Sequence, residues 1–362
     1  MAFDPQREDY QRLGLRFART LDTSSPAEAT RAFATFGRRF ARERDTLPQS
    51  DGDRAFHLVA TAAKHIDYEL PFADDAEAEK LIQRGHALLD EALQLDARCY
   101  DAMRMKAAAD NPSFEAFFSY LTEHAEEVRR TCEEQRDHIL ANDDADERTL
   151  LAADIAMRPY LRWIATQAEQ ALICGRNREA LRLARVDLEA DPRDVADARF
   201  TAAFACAKLE DEQALDELLH GAAAKRRIRP ANDAWALIAR LALAHKHYDL
   251  PAASALLNEL IRTYPHAAES FVRQIELPEG VFARLSVRPY SEDELVLAIS
   301  EATVLLQEGR DPEGRGVLSA WVAAQAAQTL PRAVLQMLAE QAEANARATG
   351  RGADHGKQGG SR

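Results

Sequence analysis

Arg240 and His245 stand five residues apart, and together they offer the two groups that cleavage of a phosphodiester needs. An arginine there would neutralise charge building on the phosphate, and a histidine would carry the proton. Against this, the surrounding stretch reads as an ordinary helix. Other constellations are weaker. His245 and His247 are two apart on that helix and so point in different directions. His124, Cys132 and His138 share another helix, but their offsets do not converge on one ion. Asn142, Asp144 and Asp146 imitate the first oxygens of a calcium loop, yet Glu147 stands at the turn glycine and Ala153 at the closing glutamate. No phosphate-cradling glycine loop, dinucleotide motif, zinc-protease helix, paired Cys-x-x-Cys or nucleophile elbow occurs. The expectation is a chain with no catalytic residue, no cofactor and no metal.

Whatever such residues do, helices must position them. The chain has 362 residues, with 46 Lys and Arg against 60 Asp and Glu and a formal charge of −14. Ala, Leu, Arg and Glu dominate, and these lose least on entering a helix. No run of alternating β-branched residues stands between tight turns, so no strand is expected. The net charge argues against a nucleic-acid partner, which calls for a basic face. No stretch approaches the run of about 18 apolar residues that a membrane span needs. Met1 to Pro5 shows no basic region leading into an apolar run, so no export signal is expected. The four cysteines lie too far apart in the chain for a disulfide or zinc framework. These readings point to an all-α, soluble, cytoplasmic protein.

Helix punctuation is clear. Ser25-Pro26-Ala27-Glu28 reads as a capping box opening a helix to about Arg44. Ser291-Glu292-Asp293-Glu294 reads as a second, opening a helix that Gly309 closes. Asn111-Pro112 opens a third. In it Phe114, Phe118, Leu121, Ala125, Val128, Cys132 and Ile139 follow a 4-3-4 spacing, an apolar seam meant to lie along a neighbouring helix. Residues 112–147 hold 11 acidic and 3 basic residues, a net charge of −8. Such a run is ordinarily a solvated face, with a docking surface for a basic partner as the rival reading.

The helices also repeat. Ala180 and Ala214 are 34 residues apart, each following a short polar turn and leading to a leucine-bearing helix, and Ala253 stands in a third copy. Pro192 and Pro265 end the first and third copies. The pattern resembles the tetratricopeptide repeat, a helical hairpin of about 34 residues. The match is carried by Ala180, Ala214 and Ala253 at the helix crossing and by Pro192 and Pro265 at the unit's end. Met157-Arg158-Pro159-Tyr160-Leu161-Arg162, then Gly175-Arg176 and Asp191-Pro192-Arg193-Asp194, is similar to the repeat segment of suppressor-of-tumorigenicity-7-like proteins and their bacterial relatives. Leu81 to Asp96 looks like the second helix of an earlier, degenerate unit, with Gly85 at its crossing and a first helix over about Asp53 to Asp67.

The expected organisation is an N-terminal helical region (1–50), degenerate hairpins with the acidic helix 112–140 (53–147), and repeats (158–267). A connector and C-terminal helices (268–348) and a disordered tail (349–362) follow. A lone hairpin cannot bury its apolar face, so the resemblance implies a stacked superhelix whose first helices line a concave groove. Carried over position by position, that groove would present Arg162, Glu169, Arg199, Trp235, His245 and Lys246. Such a surface suggests a non-enzymatic adaptor or scaffold holding an acidic or C-terminal peptide, with arginine as a bidentate clamp and Trp235 as an apolar anchor. The partner would be another protein, not nucleic acid or membrane. Two alternatives stay open. Arg240 and His245 match the Arg-x4-His spacing of helical nucleases resembling the HEPN group. The 112–140 or 314–348 helices could instead pair between copies as a homo-oligomer.

Overall fold

A computed structural model of the chain describes residues 4–21, 25–70, 73, 75–142, 146–227, 229–230, 232–274, 287–309 and 316–355. Among these residues there is no strand, and the architecture is all-α. The chain divides into two compact units, one over residues 1–201 and the other from residue 202 onward.

The first unit opens with α1 (Pro5–Ala18), α2 (Pro26–Glu43), α3 (Asp51–Ala63) and α4 (Asp75–Leu95), and α5 (Tyr100–Asp110), α6 (Phe114–Asn142), α7 (Glu147–Ile173) and α8 (Asn177–Ala190) follow. Helix α3 starts on a full capping box: the Ser50 hydroxyl accepts from Asp53 N, while the Asp53 carboxylate accepts from Ser50 N. A π-helical turn, Lys64–Glu69, extends it. Helices α3, α4 and α5 share a core of Ala55, Val59, Leu89, Ala92 and Ala102. The crossing is close at Gly85, where an added Cβ would come within 2.7 Å of Ile66 Cδ1. Helix α6 runs antiparallel to α7. Trp163 donates its indole N–H to Leu121 O at 2.9 Å, and Gln167 donates to Thr122 at 3.0 Å. Phe118, Leu121, Val128 and Cys132 of the expected seam are buried there, whereas Phe114 is exposed at the helix start.

Helix α9 (Ala198–Leu209) enters the second unit, which continues with α10 (Glu212–His220), α11 (Ala234–Lys246), α12 (Leu250–Thr263) and α13 (Ala267–Val272). It closes with α14 (Glu292–Glu301), α15 (Thr303–Leu306), α16 (Val317–Ala327) and α17 (Arg332–His355). Two buried acids organise this unit. Glu294 accepts from the Tyr264 hydroxyl at 2.5 Å, and Glu301 accepts from the Trp235 indole at 2.8 Å.

Three hairpins turn in the same way. Gly175, Glu210 and Tyr248 all adopt left-handed backbone (φ 73, 57 and 59°) directly after α7, α9 and α11. The following residue then donates back across the turn: Arg176 N to Ala171 O, Asp211 N to Cys206 O, and Asp249 N to Ala244 O, at 2.8–3.0 Å. This is the helix-ending geometry that satisfies orphan carbonyls. Asp211 and Asp249 then cap the next helix through Ala214 N and Ala252 N. Ala180, Ala214 and Ala253 are buried. Pro192 and Pro265 follow extended C-caps at Asp191 and Tyr264, the backbone that a succeeding proline imposes.

Several boundaries differ from the sequence reading. Ser25 precedes α2 as expected, but its side chain makes no capping bond. At Ser291 the hydroxyl accepts from Glu294 N, while the Glu294 carboxylate reaches Tyr290 N instead of closing the box on Ser291. Helix α14 stops at Glu301, and Gly309 lies left-handed only after the short α15. Helix α7 passes unbroken through Pro159, joining stretches that the sequence placed in separate segments. Helix α17 runs to His355, into the expected tail. Residues 356–362, most of the connector (275–286) and the acidic residues 143–145 lie outside the described residues.

Candidate functional site

The residues expected to line a concave groove are placed mostly in the interior. Arg162, Glu169, Arg199 and Trp235 are buried. Arg162 grips Asp101 with Nε and Nη2 and reaches Glu8 with Nη1 at 2.9 Å. Arg199 packs over Phe200 and lies 3.8 Å from Asp194. The Trp235 indole is spent on Glu301. Lys246 is half-buried and pairs with Glu308 at 2.9 Å. His245 rests against the Trp321 ring, with centroids 5.2 Å apart, and burial lowers its pKa. The clamp and anchor roles drawn for Arg162, Arg199 and Trp235 are therefore corrected: these groups serve internal partners.

The network around Arg162 explains how so many charges stay inside. Burial would raise the Glu8 carboxyl, yet Arg162, Arg12 and Arg158 hold it at about 2. Asp101 is likewise held below its ordinary range against burial by Arg162 and Arg104. Arg44 makes a second such contact, forking onto Asp9 at 2.6 and 3.0 Å, where His57 Nδ1 also lies 2.7 Å away. Paired, hydrogen-bonded arginines of this kind fix the helices to one another. Beside them a cavity of about 610 Å³ opens among α1, α3, α5, α6 and α7, walled by Arg12, Asp53, Asp101 and Cys132. Burial pushes the Cys99 and Cys132 thiols up to about 12 and about 11, so neither is a poised thiolate.

A different place combines exposed cations with apolar surface. Between α1, α2 and the turn at Leu47-Pro48 runs a groove of about 490 Å³. Leu13, Phe17, Phe36 and Leu47 floor it, and Arg16, Arg31 and Arg39 stand at its rim. Phe17 stacks on Phe36 at 4.8 Å, and Phe33 and Phe40 extend the apolar stripe of α2. Arg16 is held by Asp53 at 2.7 Å. Arg31 and Arg39 donate only to Ala27 O and the Thr46 hydroxyl, and neither pairs with a carboxylate among the described residues. Cations without acids, set over aromatic and aliphatic surface, suit an anionic segment that also carries apolar side chains. These residues stand outside the positions that the repeat spacing picks out. The signal was present: Phe33, Phe36 and Phe40 recur at helical spacing beside Arg31, Arg38, Arg39 and Arg42.

Among the described residues, no group of three or more His, Cys, Asp or Glu side chains is placed to hold an ion. The calcium-like run falls partly on Asp144, outside the described residues. Among the described residues no helix is long and apolar enough to cross a membrane. No family model, curated protein or solved structure matches the chain.

Proposed function

We propose that the chain is a non-enzymatic helical scaffold that binds another protein, with its hairpins stacked in the manner of tetratricopeptide repeats. The groove between α1 and α2 takes over the role first drawn for Arg162 and Arg199. Its occupant is an acidic segment bearing apolar side chains. The observation that carries this reading is the pair Arg31 and Arg39, exposed, without carboxylate partners among the described residues, and lining one groove with Phe17 and Phe36. Charge at such a rim steers encounter and sets specificity, while the aromatic floor supplies the apolar burial. A cytoplasmic setting fits the four free cysteines, which would remain reduced there.

Fluorescence anisotropy of the full chain with a short labelled peptide of leucines flanked by glutamates tests the reading. Binding should weaken with salt and be lost when Arg31→Glu and Arg39→Glu are combined. The same peptide with lysines for glutamates should not bind. Arg178→Glu, an exposed charge reversal on α8, should leave binding intact. Equal binding of both peptides, or full retention in the double variant, would sink the proposal.

A further inference from the structure

We infer that the cavity walled by α1, α3, α5, α6 and α7 is a binding site for a small organic carboxylate with one apolar face. Its volume of about 610 Å³ falls within the range of small-molecule sites, and its whole wall belongs to the first unit. The helices divide that wall by chemistry. From α6 come Thr131, Glu134, Gln135 and His138, a spacing that sets four polar side chains on one helical face. From α7 come Ala152, Ile155, Ala156 and Pro159, at the same spacing, and all four are apolar. A ligand here meets hydrogen-bonding groups from one helix and carbon from the other.

Three arginines set the charge that the ligand carries. Arg12 and Arg16 stand one turn apart on α1, and both line the cavity. Each uses Nε and Nη2 on an acid, Glu8 or Asp53, and neither Nη1 has an acceptor among the described residues. Arg98, two residues before α5, is exposed. Its backbone N–H donates to Asp96 at 2.9 Å, but its side chain has no partner among the described residues. The acids of the wall limit the ligand to one negative charge. Asp101 is held by Arg162 and Asp53 by Arg16, yet with Asp96 and Glu134 they would repel a phosphate dianion. A monoanionic carboxylate on Arg98 avoids that repulsion. Pro159 adds a further demand. It has no N–H to give to the carbonyl of Ile155 one turn earlier, and both residues line the cavity. The ligand therefore also brings an N–H or O–H donor.

Isothermal titration calorimetry of the full chain with N-acetyltryptophan tests this, because that probe joins a carboxylate and N–H donors to an apolar ring. A dissociation constant of about 0.1–1 mM is expected for a ligand of its size. N-acetyltryptophanamide, which lacks the charge, should bind about tenfold more weakly or worse. Arg98→Gln should lose a similar factor with its melting temperature unchanged, since the side chain leaves no partner behind. Ala152→Phe, which fills part of the apolar face, gives a second variant that should weaken binding. Arg31→Glu with Arg39→Glu should leave it intact, because cavity and α1–α2 groove share only Arg16 in their linings. No binding of the carboxylate overturns the inference, as does equal affinity for acid and amide. So does full retention in Arg98→Gln, or tighter binding of adenosine monophosphate, which would make the site one for phosphate. Loss of binding in the Arg31 and Arg39 double variant would move the ligand to the groove and overturn it as well.

Discussion

Arg162 on α7 closes a fork-to-fork pair with Asp101 on α5, Nε to Oδ1 at 2.6 Å and Nη2 to Oδ2 at 2.5 Å, both groups buried. The third arm of the same guanidinium holds Glu8 of α1. One side chain thus ties three helices that are remote in sequence, and it does so with charge that has nowhere else to go.

Removing that guanidinium should therefore be costly. Arg162→Met leaves Asp101 and Glu8 buried without their principal cation, and breaking a buried pair from one side typically costs about 3–5 kcal/mol. Urea unfolding of the two proteins measures it. Loss of under about 1 kcal/mol, the range of exposed pairs, would mean that the network is open to water.

The same network sets an acid limb to stability. Glu8 is held at about 2, below the range of an unfolded glutamate, and Asp101 is shifted in the same direction. Depressed carboxyls contribute stability that is present above their unfolded pKa and is lost as pH falls through the folded value. Unfolding free energy should fall from about pH 4 downward, and Glu8→Gln should flatten that limb. A variant with an unchanged acid slope would assign the limb to other groups.

Asp187 shifts the opposite way. Its side chain is fully buried on α8, neither oxygen has a hydrogen-bond partner, and its pKa is raised well above 3.8. Burial is the main cause, and Asp194, Asp191, Glu169 and Asp197 add to it. A raised carboxyl favours the folded state below its unfolded pKa and loses that contribution as pH rises through the folded value. Asp187→Asn should thus raise the melting temperature at neutral pH, with the gain shrinking as pH approaches 4. A lower melting temperature at pH 7 would show that the carboxylate is answered by something that compensates its charge.

At the α3–α4 crossing, space is the limiting quantity. A Cβ on Gly85 would sit 2.7 and 2.8 Å from the Cδ1 and Cγ1 atoms of Ile66. Gly85→Leu should overpack the crossing at a cost of about 1–3 kcal/mol, and pairing it with Ile66→Ala should recover part of the loss. Ala214→Leu makes the same test in a later hairpin, and additive effects of Gly85→Leu and Ile66→Ala would deny their contact.

Much of the helical layout was legible because its signals are local. Ser291 caps α14 and Gly85 sits where two helices touch, both visible within a few residues of sequence. The fate of Arg162 was not. Its partners lie 61 and 154 residues away, and repeat position alone assigns the side chain to a groove. Nothing nearby in sequence says that α5 and α1 will cover it. The α1–α2 groove was not legible for a related reason: Arg31 and Arg39 stand on a helix outside the repeats.

Tyr248 occupies the left-handed position that glycine fills in the first hairpin, and it is 87% exposed. Its neighbours in kind, Tyr100, Tyr160 and Tyr264, are buried. The phenol is thus the most accessible of its type among the described residues, held out on a turn whose backbone leaves it little freedom. It is a built-in reporter: mild nitration or iodination should mark Tyr248 first, and any partner seated over the α11–α12 turn would announce itself by protecting that one ring.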